Sequence, residues 1–458
     1  MFRRALPFIA ALTFFFSSFS GCAVLRTSAS APGGSREEAA RPVSGRVTKW
    51  ISFSILEDYD RGEDLNEVAR DFEVMQELGI DTWRGSFGWD DYEPVCGEYD
   101  FAWLHQFADL VERHGIKLRP YLGYTPAWAA RGGGDGQAWN DPPKNPADWY
   151  DFVYHLAAEM RRHRNILSYE LYNEENVPQW WDGTAAEYNE VLLRGAAAVR
   201  QADPGAEVLL GGLVFPEVKF IEEICATFGN AGSFDVVPLH AYPETWTPKE
   251  IFVENYLGEG YRKFADAVAD RCQGEPIWIN EAGYSTIEGR TEEDQANWWA
   301  RAVATFLAVP EVEHIGIYKM KDLKPEREVI GGPENYTLGL IRSDREKKLA
   351  FYTIGLLADL LDAGPLTVAD ADLEVHVTKG RPGALYHHLF IRPDGSRLLF
   401  VWDKSGSPTL DLRIAGRGAA AVEYGLDGRS STYDRFDGVF LRDVRLAPGT
   451  VRIFEIEP

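Results

Sequence analysis

The sequence predicts an α/β chain, a (β/α)8 barrel followed by a small all-β sandwich. Three observations carry this expectation. Between about Thr48 and Leu361, short β-branched or aromatic runs alternate with amphipathic stretches, the pattern of repeated βα units around a parallel sheet. From about Thr367 the texture changes to closely spaced strand-like runs separated by turn signals. The length of 458 residues also exceeds one ordinary domain, since domains run about 100–200 residues and α/β barrels about 250.

The chain opens with Arg3 and Arg4 ahead of an apolar run from Ala5 to Phe19, too short to span a bilayer comfortably. The run ends in Phe19-Ser20-Gly21-Cys22, which resembles a bacterial lipoprotein signal, in which the cysteine becomes the lipidated first residue. Residues 1–22 are therefore expected to be a signal peptide with lipidation at Cys22, and 23–46, rich in Ser, Ala, Gly and Arg, a flexible tether. The expected location is the bacterial cell envelope, with the membrane engaged through that anchor alone. No later segment is long and apolar enough to cross a membrane.

Residues 47–362 are assigned to the barrel, with strands near 49–55, 80–86, 116–121, 167–172, 207–211, 234–240, 276–280 and 312–318. Helical periodicity between them is clear in Leu65, Val68, Phe72, Met75 and Leu78, and Thr291 with Asp294 reads as a capping box. Residues 363–458 are assigned to the sandwich, with strand-like runs at 384–391, 397–402, 409–414, 439–444 and 450–456. The turn signals Pro393-Asp-Gly395, Asp427-Gly428 and Asp437-Gly438 separate several of them.

The composition, 45% hydrophobic and 13% aromatic, supports a substantial core. A formal charge of −24 argues against nucleic acid as a partner and mildly against polyanionic substrates. Beyond Cys22 only Cys96, Cys225 and Cys272 remain, so at most one internal disulfide can form, with its pairing open. Their spacing matches no zinc site, and no cofactor is expected.

Chemistry concentrates at two strand ends. Asn173-Glu174 closes the run Ser168-Tyr-Glu-Leu-Tyr172, and Glu281 closes Pro276-Ile-Trp-Ile-Asn280, on the fourth and seventh expected strands. Barrel active sites lie at the C-terminal ends of the strands, so the two carboxylates should meet there. A carboxylic acid that protonates a leaving oxygen, paired with a carboxylate facing an oxocarbenium-like carbon, cleaves glycosidic bonds without a metal. Glu170 and Glu175 compete with Glu174 for the acid position; strand alternation puts Glu170 on the same face, but only Glu174 follows an asparagine.

The chain resembles clan A glycoside hydrolases along its whole barrel. Tyr169-Glu-Leu-Tyr-Asn-Glu174 is similar to the W-E-x-W-N-E-P segment of that clan, and Ile277-Trp-Ile-Asn-Glu-Ala-Gly283 to its strand-seven segment. Trp83-Arg-Gly-Ser-Phe-Gly-Trp89, Tyr92-Glu-Pro94 and Gly97-Glu-Tyr-Asp-Phe101 resemble families 39 and 42. Tyr124-Thr-Pro-Ala-Trp128, Asp141-Pro-Pro143 and Gly211-Gly212 resemble family 39, Leu239-His-Ala-Tyr242 the clan's sixth strand, and Gly339-Leu-Ile-Arg342 with Ala350-Phe-Tyr352 the run into the last helix.

The resemblance implies an enzyme hydrolysing O-glycosyl bonds with retention, with Glu174 as acid/base and Glu281 as nucleophile held by Arg84 and the Tyr242 hydroxyl. It implies that Asn173 bonds the sugar 2-hydroxyl and that His240 belongs to the site. Trp89, Trp128, Trp180 and Trp181 are candidate sugar platforms, with Tyr318 standing beside Ile317 where the clan usually ends strand eight in tryptophan. Lys319 and Lys321 follow, and could accept an anionic sugar. The expected partner is a β-linked oligo- or polysaccharide, bound by a monomer. The rival readings are an endo-acting hydrolase similar to families 5 and 42, and a surface lipoprotein that binds glycan without cleaving it.

Overall fold

The computed structural model describes residues 47–132, 136–229, 232–247, 250–287, 289–327, 332–361 and 364–458. The signal segment, Cys22, the 23–46 tether and the 362/363 domain boundary lie outside the described residues. Eight parallel strands close into a barrel: β1 (Ser52–Leu56), β2 (Thr82–Gly88), β3 (Lys117–Gly123), β4 (Ser168–Asn173), β5 (Glu207–Val214), β6 (Val237–Ala241), β7 (Ile277–Ala282) and β8 (Val312–Ile317). Strands β4, β6 and β7 are buried along their whole length. Helices cover one face and the packed barrel interior the other, which explains their near-continuous apolar character.

The helices begin and end where side chains can satisfy the free backbone groups. Asp64 accepts from the Asn66 N–H at the start of helix Leu65–Leu78, and Gly79, at φ 74°, ends it in the left-handed conformation that a Cβ disfavours. Thr291 and Asp294 form the expected capping box, and Thr184 with Glu187 forms a second. Helix Glu292–Ala308 is buried on nearly all sides, because one face packs on the barrel and another on the C-terminal strands. There the Asn297 amide oxygen accepts from the Val451 N–H at 2.9 Å. Among the described residues no helix is long and apolar enough to cross a membrane.

The C-terminal region is a two-sheet antiparallel sandwich. One sheet runs in the order 48–49, 366–368, 385–391, 397–403, 452–456, 421–424, 430–432, and the other pairs 373–379, 409–414 and 440–445. Along Arg397–Asp403 alternate side chains divide between two cores: Leu399 and Val401 face the second sheet, whereas Leu398, Phe400 and Trp402 join the core shared with the barrel.

The expected first strand, 49–55, is two strands. Thr48 and Lys49 pair antiparallel with Thr367 and Leu366, so the N-terminal edge belongs to the sandwich and the barrel starts at Ser52. Lys49 secures the split by donating to the Val309 and Val312 carbonyls, each at 2.5 Å. Cys225 and Cys272 form the one internal disulfide, and Cys96 is free and exposed.

Candidate active site

The carboxylates meet at the C-terminal end of the barrel. Glu281 lies inside β7, while Glu174 stands one residue past β4, where the backbone turns through positive φ at Tyr172 (83°) and Glu174 (56°). Such values cost a non-glycine residue on the order of 1 kcal/mol or more and survive only where surroundings hold them. Here the Glu174 N–H donates to the Gly212 carbonyl at 2.9 Å.

Arg84, pointing inward from β2, organises the floor. Its Nε and Nη2 each donate at 2.8 Å to Glu170, Nη2 also donates to Asn173 Oδ1 at 3.0 Å, and Nη1 donates to Glu281 Oε1 at 2.5 Å. Glu170 further accepts from the Gly212 N–H at 2.9 Å and from Asn280 Nδ2 at 3.0 Å. A carboxylate so saturated with donors is the fixed counter-ion of Arg84, which separates it from Glu174. Glu175 is buried behind the site against Gly211, whose missing Cβ would sit 2.0 Å from its carboxyl.

Glu281 and Glu174 occupy opposite electrostatic environments. Burial works to raise Glu281, but His240, Arg84 and the Tyr242 hydroxyl, which donates at 2.5 Å, outweigh it and hold the carboxyl below its usual range. Burial and the neighbouring Glu281 charge raise Glu174 above its usual value, against the hydrogen bond to His240. His240 Nδ1 lies 2.6 Å from Glu174 Oε1 and 3.5 Å from Glu281 Oε2. Its Nε2, packed on Gly212, has no partner, so the ring proton belongs on Nδ1. Oxygens of Glu174 and Glu281 lie within 4.8 Å of one another.

Above this floor opens a cavity of about 380 Å³. Its aromatic lining comes from Tyr121, Tyr124, Trp180, Phe215, Tyr242, Trp246 and Tyr318. Trp180 stacks near Tyr124, with centroids 6.2 Å apart, and Tyr242 packs on Trp246 at 4.5 Å.

The family 42 glycoside hydrolase model, described as beta-galactosidase, matches residues 59–136. A beta-galactosidase of Arthrobacter sp is 39% identical over 64 residues, 13% of this chain and 9% of that protein. The beta-galactosidase BgaB of Geobacillus sp. (strain Y412MC61) is 35% identical over 75 residues, 16% of this chain and 11% of its own length. The match thus spans only a small part of these curated relatives.

Solved structures extend the likeness to 89–90% of the chain. A family 39 glycoside hydrolase from the gut symbiont Bacteroides cellulosilyticus WH2 aligns with TM-score 0.67 and 17% identity over 89% of this chain and 81% of its own. A monomeric beta-xylosidase from Caulobacter crescentus CB15 aligns with TM-score 0.64 and 16% identity over 90% and 98% of the two chains. The chain shares the barrel fold of these glycoside hydrolases.

Within this barrel, the structure brings Asn173, Glu174, His240, Tyr242, Trp180, Tyr318 and Glu281 to the cavity wall, and places Arg84 directly beneath. Three tryptophans expected there are elsewhere. Trp89 is buried against Trp128, Trp149 and Phe152 and donates to Glu93 at 2.7 Å. Trp128 is only partly buried, but its indole N–H is tied to the Glu93 carbonyl at 2.8 Å, away from the cavity. Trp181 packs inward on Tyr172 and Tyr188. Lys319 faces Glu57 at 3.7 Å and Lys321 donates to Asp71 at 2.5 Å, so neither lysine serves the cavity.

Sequence reasoning missed Asp58, Tyr121, Phe215, Trp246 and Asn335. Trp246, four residues past Tyr242 at the end of the sixth strand, had a readable signal as an aromatic on a barrel rim loop. Glu174, His240 and Glu281 have the spacing of a cation site, as do Asp109, Glu112 and His163 on the outer surface. In the first group the Arg84 guanidinium already supplies positive charge to Glu281. In the second, the buried His163 has both ring nitrogens engaged, Nδ1 3.3 Å from the exposed Asp109 and Nε2 3.1 Å from His105 Nδ1.

Proposed function

We propose that the chain is a retaining glycoside hydrolase that cleaves a β-linked oligo- or polysaccharide through a covalent glycosyl-enzyme. The observation that carries this reading is the pair Glu174 and Glu281, with oxygens within 4.8 Å and pKa values driven apart. Retaining enzymes separate their carboxyl groups by about 5–5.5 Å and inverting ones by about 6.5–9.5 Å to admit a water. An oxygen of Glu174 within 4.8 Å of one of Glu281 supports the retaining arrangement.

Glu281, kept ionised, attacks the anomeric carbon. Glu174, kept protonated, gives its proton to the departing oxygen, then takes one from the water that releases the sugar. Arg84 and Tyr242 hold Glu281 in attacking position. The Arg84 contact fixes the Asn173 amide so that its NH2 group can meet the 2-hydroxyl of the ring. Trp180 and Trp246 offer stacking faces. β-Galactosides and β-xylosides, after the names of the relatives, are the first substrates to try.

The test is Glu281→Gly, which should abolish turnover of an activated aryl glycoside, with azide restoring a product of inverted configuration. Undiminished turnover would remove Glu281 as nucleophile. Glu174→Ala should slow substrates with poor leaving groups most, because these need protonation. Equal loss for good and poor leaving groups would remove the acid role.

The Arg3–Cys22 segment supports a lipid anchor in the bacterial envelope. Incorporation of labelled palmitate that disappears in Cys22→Ser is the expected result, and unchanged labelling would overturn it.

A further inference from the structure

We propose that Asp58 holds the non-reacting hydroxyls of the bound ring and restricts the cavity to uncharged sugars, excluding uronic acids and sulfated rings. This rests on the hydrolase reading and names its substrate class. Asp58 follows β1 by two residues and lines the cavity with Tyr121, Tyr124 and Tyr318. Its Oδ1 accepts from the Ser86 N–H on β2 and from the Tyr121 hydroxyl on β3, both at 2.9 Å. Two anchors on different strands fix the carboxylate plane. Its Oδ2 takes no hydrogen bond, and no Lys or Arg pairs with Asp58, among the described residues.

Asp58 is half-buried, so its open oxygen faces the cavity as an acceptor that water can occupy until a ligand's donors replace it. Sugar hydroxyls are such donors. Position supports the same assignment. Around the closed barrel β1 lies two strands from β7, which carries Glu281, and three from β4, which leads to Glu174. Asp58 therefore stands on the nucleophile's side, beside the ring that is attacked rather than the leaving group.

Charge supplies the exclusion. The ionisable cavity residues near the reacting pair are Asp58, Glu174, Glu281 and His240, and no described lining residue is Lys or Arg. Lys319 and Lys321 are committed to Glu57 and Asp71, and Arg84 to Glu170 and Glu281. A sugar carboxylate or sulfate would meet Asp58 with no free lysine or arginine to balance it, because His240 is already held between Glu174 and Glu281.

The experiment compares aryl glycosides of neutral sugars with the matching uronides, in the wild type, Asp58→Asn and Asp58→Ala. The wild type should turn over a neutral glycoside and leave its uronide at least about 100-fold slower. Asp58→Ala should lower kcat/KM on the neutral substrate by about 10- to 100-fold, the range for losing a hydrogen bond to a charged group. A deoxy substrate lacking the contacted hydroxyl should suffer in the wild type and lose nothing further in Asp58→Ala. Asp58→Asn keeps an acceptor for Ser86 and Tyr121, so a fold-preserving variant remains even if the alanine unfolds; it should also relax the bias against the uronide.

Comparable wild-type rates on both classes, or unchanged selectivity in Asp58→Asn, would overturn the proposal. Absence of turnover on every aryl glycoside would instead count against the hydrolase reading. In that case calorimetric binding of neutral monosaccharides against uronic acids decides the role of Asp58, and equal affinity for both would overturn it.

Discussion

The Tyr242 hydroxyl donates to Glu281 Oε2 at 2.5 Å while Arg84 holds the other oxygen. The phenol is one of the forces keeping the buried carboxylate ionised against its desolvation. Tyr242→Phe should raise the pKa of Glu281, because the charged form loses a donor. Activity that requires ionised Glu281 would then fade at higher pH as the medium is acidified. The acid limb of the kcat/KM profile should move up, and the plateau should fall about 10- to 100-fold. A profile with its acid limb unmoved would detach Tyr242 from Glu281 in the working enzyme.

Gly212 permits the position of His240, since a Cβ there would lie 2.1 Å from its Nε2. Gly212→Ala must displace the imidazole and disturb its 2.6 Å contact with Glu174. That contact works to lower the raised pKa of Glu174, so its loss should carry the alkaline limb to higher pH. Misplacement of about 1 Å can cost about 100-fold in rate, and a similar fall in kcat is expected. A variant with wild-type kcat and an unmoved alkaline limb would show that His240 tolerates the displacement.

What the sequence made legible follows from which forces are periodic. The eight strands could be placed because each is short, apolar and followed by an amphipathic helix, and Glu174 and Glu281 because they end two of those runs. Loops have no period. Trp180 and Trp181 are adjacent and equally aromatic, yet one lines the cavity and the other packs on Tyr172 and Tyr188, a choice made by the turn between them. Asp58 lies in a segment with no strand or helix pattern, so only tertiary structure sets its carboxylate over the cavity. Thr48 and Lys49 show the same limit: a two-residue strand cannot announce which sheet it will extend.

Glu175 is a buried carboxyl beside the Tyr188 hydroxyl, which is itself drawn to the Leu171 carbonyl at 3.0 Å. Burial raises its pKa well above the usual carboxylate value. The folded state therefore holds a proton that the unfolded chain has released near pH 4.5, and this contribution to stability shrinks as pH climbs, by up to about 1.4 kcal/mol per pH unit. Glu175→Gln fixes the neutral form. Urea unfolding at pH 5 should find the variant close to the wild type, and at pH 8 it should find the variant more stable. An equal difference at both pH values would mean that Glu175 is not held protonated.

The Cys225–Cys272 bond joins the segment after helix Val218–Glu222 to the end of helix Glu259–Arg271, across 47 residues of sequence. Both helices lie outside the barrel, and the intervening chain passes through β6 and the loop bearing Tyr242 and Trp246. Cross-linking a loop of this length restricts the unfolded chain by roughly 3–5 kcal/mol in the chain-entropy account. Cys225→Ser with Cys272→Ser should therefore unfold at lower denaturant concentration, with a loss of about 2–4 kcal/mol. The anchors of the reacting pair, Arg84, Tyr242 and His240, all sit on or directly after barrel strands and do not touch the disulfide. Below its unfolding transition the double variant should keep a kcat within about twofold of the wild type. A large fall in kcat with the fold intact would mean that the cross-link positions the sixth-strand loop rather than merely stabilising the chain.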